Sequence, residues 1–244
     1  MFHLKPLIAY NRTGSETRAL VAPFLDALEA LYVPYLASFS YYTTYYDFYN
    51  HYFGPMPLGQ SHIGVSGDLG RVGGRLIPRA AATANVTGLG RTARLATDRG
   101  ARWVGVAANV SRFGGAGQNA VNPAWRDALV HTILTMSMNT ADAADVFGPG
   151  KTDAMTSVVM PALEAFSPGG GAYMNEADFR QPDFQRVFFG SNYPRLLEIK
   201  KKYDPEGFFY AVKAVGSEAW EVASDGRMCR AGSGAVSRVT GVGS

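Results

Sequence analysis

The residues best placed to do chemistry lie just after three consecutive glycines, Gly169 to Gly171. Ala172-Tyr173-Met174-Asn175 reads as a short strand, and Asn175, Glu176 and Asp178 follow as a polar cluster. Tyr173 and Asn175 are two apart, so on a strand they share a face. A glutamate at such a place exchanges protons near neutral pH only if partial burial raises its pKa. Otherwise Glu176 is a surface or salt-bridged side chain, and Asn175 a strand-end residue bonding its own turn.

Several other chemistries are excluded. The one cysteine, Cys229, forms no internal disulfide and has no Cys or His at metal-ligand spacing. Gly114-Gly115-x-Gly117 follows a strand, but the next helix begins near Pro123, too late to set its N-terminus on a phosphate. The net charge of +3, from 23 basic and 20 acidic residues, is too small to imply nucleic-acid binding, and no basic stripe interleaves with aromatics. No run of 18 apolar residues predicts a membrane span. Lys5 and Pro6 interrupt the apolar N-terminus, which does not read as a signal peptide. Sequons stand at Asn11, Asn85 and Asn109.

The 244 residues, 47% of them hydrophobic, suffice for a core and one or two domains. Residues 6–10 read as a strand. A helix capped by Ser15 runs to about Leu31. The segment from Phe39 to Phe53 is crowded with Tyr and Phe. It is either a loop or interface packed on its own rings, or a wall of a substrate pocket, with Tyr41 and Tyr45 as the candidate lining. Gly70, Gly73 and Gly74 suggest a turn closed by Leu76 to Arg79, and residues 81–96 a helix interrupted by Gly88 and Gly90. Residues 103–110 form the clearest strand. Asn122 caps a helix that starts at Pro123 and continues to about Met138. Another helix spans 151–166 and kinks at Pro161. Tyr193 to Tyr203 is amphipathic and stops at Asp204-Pro205, with Lys200 to Lys202 on its solvated side. An extended arm follows Phe209 to about Val215, and the Gly-, Ser- and Ala-rich end is expected to be disordered. This order of elements predicts an α+β fold, an antiparallel sheet with helices packed on one face.

Tyr173-x-Asn175, Asp178, Phe189-Gly190-x-Asn192-Tyr193, Leu196, Ile199-Lys200, Tyr203-Asp204-Pro205 and Phe208 form an ordered string. It resembles the C-terminal signature of the berberine bridge enzyme-like FAD-linked oxidases, within the vanillyl-alcohol oxidase superfamily. Residues 6–13, 22–28, 76–79 and 120–126 are similar to the fungal, extracellular branch of that family, as are 216–220 and 226–229.

The resemblance implies a substrate-binding domain over 1–168, a berberine-like segment facing the flavin over 169–215, and a tail over 216–244. It implies FAD as cofactor, held mainly by an N-terminal FAD-binding half that is not in this sequence, and a small-molecule substrate. The parent enzyme would be extracellular. Tyr173 and Asn175 would face the flavin. Glu176 stands where many family members carry a tyrosine acid/base. Asn109 lies on the strand expected to carry a polar catalytic group; an amide is no general base, so Asn109 would serve as a hydrogen-bond donor. Arg79 and Arg126 are expected in ion pairs or cross-domain contacts. The competing reading is a non-catalytic fragment or interaction module, with an exposed aromatic face that drives association.

Overall fold

The computed structural model describes residues 3–4, 6–56, 70–113, 119–137, 154–223 and 226–232. The chain divides into two units, Met1–Ser66 and Gly67–Ser244.

The first unit holds α1 (Gly14–Ala30) and α2 (Tyr45–Phe53). Thr13, not Ser15, caps α1. Its hydroxyl accepts from the Glu16 backbone while the Glu16 carboxylate accepts from the Thr13 backbone. The reciprocal bonds need a spacing of three, which Ser15 and Glu16 lack. Residues 6–9 form no strand, for no described strand pairs with them. The aromatic segment packs on its own rings. Thr44 caps α2, whose helical spacing brings Tyr45 against Phe48 and Tyr49 and stacks Tyr49 on Phe53 at 4.8 Å.

The second unit is built on a three-stranded antiparallel sheet in the order β1 (Gly70–Pro78), β3 (Ala128–Ser137), β2 (Arg102–Val106). Two expectations are corrected here. The glycines at 70, 73 and 74 belong to a strand, not a turn. Residues 123–126 form only a short 3-10 turn, capped by Asn122 as expected, before the chain extends into β3. Both strands are buried on two sides, so their apolar residues lack the alternation that would announce a strand.

Glycines let each face be covered closely. A Cβ at Gly73 would meet the sulfurs of Met155 and Met160 at 2.6 and 2.8 Å. That face packs Ile77 and Leu134 against α4 (Val86–Asp98), α5 (Met160–Phe166) and the turn before α5, through Ala96, Met160, Leu163 and Val159. A Cβ at Gly74 would lie 2.1 Å from the Glu176 carbonyl oxygen, so the turn at Met174–Glu176 touches the opposite face. The 81–96 helix is in fact two, α3 (Arg79–Ala84) and α4, because Asn85 caps α4 by accepting from the Gly88 backbone. Before α5 a π-helical turn spans Met155–Val159, and Pro161 falls in the first turn of α5, where a missing N–H costs least. Arg75, 2% exposed, ties β1 to the end of α5. It donates to the Ser167 hydroxyl and carbonyl and pairs with Glu164 at 3.3 Å.

The helix read from 193 to 203 is α6 (Tyr193–Tyr203), with those same ends. Asp204 stops it by accepting from the Phe208 and Phe209 backbones and from Lys200. The expected arm to Val215 is a series of turns, closed by bonds from Ala214 to Ala211 and from Ser217 to Ala214. The hairpin β4 (Trp220–Val222) and β5 (Met228–Arg230) follows. Tyr193 latches this tail onto α6: its hydroxyl donates to Glu218 and accepts from the Gly216 backbone. Burial and the Glu218 bond push the Tyr193 phenol up to about 12. Tyr193→Phe is expected to cost about 1 kcal/mol and to speed amide exchange at 216–219 before that of α6, measurable by hydrogen exchange.

Gly114 to Gly117, residues 151–153 and residues 233–244 lie outside the described residues.

Candidate active site

The site forms where the segment after Gly171 crosses the sheet face opposite the helices. Two bonds place that segment: the Leu76 backbone N–H of β1 donates to the Gly171 carbonyl, and the Ala172 N–H donates to the Val187 carbonyl. Ala172 is buried with Phe184, Val187 and Phe188. No strand forms at 172–175, correcting the expectation. Met174–Glu176 is a 3-10 turn, and the Glu176 backbone N–H donates to the Tyr173 carbonyl. The close approach at Gly74 explains this, since the chain curls over the strand rather than pairing along it.

Tyr173, Asn175 and Glu176 still come together. The Asn175 side-chain amide donates to the Tyr173 hydroxyl at 2.9 Å, and Tyr173 keeps 38% of its surface exposed. Glu176 reaches down to His131 of β3. Its Oε2 lies 3.5 Å from Nε2, which is ion-pair range, yet Nε2 makes no hydrogen bond among the described residues. His131 is 4% exposed. Trp125 stands edge-on to its ring at 5.0 Å and Tyr173 at 5.9 Å. Burial shifts both partners toward neutrality: the Glu176 carboxyl goes up from 4.5 and the His131 imidazole goes down from 6.5.

The other candidates lie elsewhere. β2 ends at Val106, so Asn109 is not on a strand. Its exposed side chain instead accepts from the Ser111 backbone and hydroxyl, closing a local turn. Tyr41 and Tyr45 belong to the first unit, where both are largely exposed. Arg79 is exposed, and half-buried Arg126 donates to Asn119.

His131 and Trp125 were not singled out from sequence. A lone histidine in an apolar run reads as a core residue. Only its place beside Glu176, set by the pairing of His131 with Leu76 and Val106, distinguishes it.

Residues 172–216 match the family model for berberine and berberine-like proteins. The chain is 44% identical over 230 residues to the FAD-linked oxidoreductase ZEB1 of Gibberella zeae, a match covering 94% of this chain and 39% of that protein. It is 41% identical over 232 residues to the FAD-linked oxidoreductase patO of Aspergillus clavatus, with the same coverage of each. Along 94% of its length the chain is similar to FAD-linked oxidoreductases, and its residues 172–216 carry the berberine-like segment.

A solved flavoprotein structure agrees with the fold. The crystal structure of the VAO-type flavoprotein MtVAO615 from Myceliophthora thermophila C1 superimposes with a TM-score of 0.75 at 28% identity, covering 91% of this chain and 40% of that one. The antiparallel sheet with helices on one face is thus the substrate-domain fold of VAO-type flavoproteins. The chain spans about two fifths of the length of the berberine-like relatives it matches.

Proposed function

We propose that this chain is the substrate-binding part of an FAD-dependent oxidoreductase that oxidises an alcohol, amine or sugar, with O2 as final acceptor. One observation carries the reading: a part-exposed glutamate at the berberine-like turn, its pKa raised by burial, faces a buried imidazole nitrogen that makes no hydrogen bond among the described residues.

The residues present fit one side of a planar ring with a polar edge. Tyr173, Met174 and Asn175 are exposed beside the half-buried Glu176, and beneath lies Nε2, which makes no hydrogen bond among the described residues. Tyr173 and Asn175 would hold the flavin on this side, and FAD, when bound, supplies the hydride acceptor. Glu176 takes the proton of the substrate hydroxyl or amine as the carbon loses hydride. The Tyr173 and Trp125 rings keep water from the imidazole below. A flavin-binding N-terminal half is the partner in this reading, and the parent enzyme is extracellular.

A second reading, a non-catalytic fragment or interaction module, is favoured by α1. None of its residues is buried, and Leu20 and Phe24 are exposed. Absorbance of purified protein separates the two. The oxidoreductase reading expects the yellow flavin band when the chain is co-purified with a relative's N-terminal half and FAD. No colour in that pair supports the interaction module.

A further inference from the structure

We propose that His131 is a positioning residue for Glu176: a neutral imidazole that carries its proton on Nε2 and donates it to the glutamate carboxylate. The assignment rests on the reading of Glu176 as proton acceptor.

The geometry narrows what Nε2 can be. At 3.5 Å from Oε2 and 4% exposed, the nitrogen faces a carboxylate in a nearly dry place. If Nε2 carried a lone pair, it and the ionised carboxylate would be two acceptors facing one another at 3.5 Å, too close for a water between them. A proton between them removes that repulsion. No other described group makes a hydrogen bond to Nε2, so the carboxylate is its natural partner. Flanking strand positions offer only apolar side chains, Leu76 on β1 and Val106 on β2. Among the described residues, the titratable groups set against the imidazole are Glu176, at 3.5 Å, and Tyr173, whose ring meets it edge-on. Charge-assisted N–H···O bonds run about 2.7–2.9 Å, and catalytic bonds are often looser before substrate binds. A small swing of the part-exposed Glu176 side chain closes the difference.

The arrangement separates two needs. The carboxylate must stay charged to accept a proton, but burial disfavours its charge. A fixed N–H donor from below restores the charged form without adding a full positive charge. The proton balance is then simple. The substrate O–H or N–H proton goes to Glu176, the C–H electron pair leaves as hydride to a flavin, and His131 keeps its own proton throughout.

The test uses the full 244-residue chain with 15N-labelled histidine and 13C-labelled glutamate carboxyls. NMR is expected to find His131 as the Nε2–H tautomer at pH 8. Glu176→Gln removes the charge and is expected to lower the His131 protonation midpoint by about half a pH unit or more. His131→Leu is expected to raise the Glu176 midpoint by about one unit. His131→Gln, whose amide places a donor near Nε2, is expected to restore most of that shift. A structural role alone would not separate Leu from Gln. An Nδ1–H tautomer, or Glu176 midpoints that are equal in both variants, overturns the proposal. An uncoupled His131 in a chain whose Glu176→Gln flavoprotein is slow sinks the pairing and leaves the proton-acceptor reading. A coupled pair beside an unslowed Glu176→Gln sinks that reading, and with it the role of His131.

Discussion

Glu176→Gln is expected to slow flavin reduction more than tenfold in the assembled flavoprotein. General-base catalysis contributes about 10²- to 10⁴-fold, so tenfold is a lower bound if Glu176 takes the substrate proton. Gln keeps the size of the side chain and can still accept a bond from His131, so binding and folding should change little. The measurement is stopped-flow bleaching of the flavin band under argon, with primary alcohols, amines and sugars as donors. The pH dependence adds a second mark. Burial raises the Glu176 pKa above 4.5, so the working, ionised form is lost as pH falls through that raised value. The parent rate should therefore climb with pH across this range, and the variant should lack that limb. Equal reduction rates in parent and variant would remove Glu176 from the chemistry.

How much of this was legible depends on whether the signal is local. The C-terminal end of α6 is readable because Asp204-Pro205 acts on its own neighbours. The Asn122 cap was local too, and survives even though the helix expected after it does not. β3 reads as a helix because Leu129, Ile133, Leu134 and Met136 satisfy helical spacing while burial on both faces hides the period of two. β1 hides as a turn because Gly70, Gly73 and Gly74 are turn-forming by composition. They serve close approach instead, on opposite faces, to partners about 80 and 100 residues away in sequence. The site shows the same division. Tyr173, Asn175 and Glu176 are consecutive enough to be read as a group, whereas His131 joins them only through strand register, which no short window of sequence specifies.

Gly74→Ala should be among the most damaging single changes in the second unit, with an expected cost of about 3 kcal/mol. The added Cβ would sit 2.1 Å from the Glu176 carbonyl oxygen and 3.2 Å from the Thr132 carbonyl oxygen. Both are backbone atoms, so no side chain can swing aside. Either β1 bends away from β3 or the turn at Met174–Glu176 lifts from the sheet. The second course is easier, because the turn's outer side is exposed. It would draw Glu176 away from His131 and open the imidazole to water. Urea unfolding should show the lost stability as a lower midpoint concentration. Gly90→Ala is the matched control. It lies inside α4 with nothing within 4 Å of the new methyl, so it should stabilise the chain by up to about 1 kcal/mol. If Gly74→Ala were tolerated as easily as Gly90→Ala, the berberine-like turn would not rest on β1, and Glu176 would lose the backbone anchor that brings it to His131.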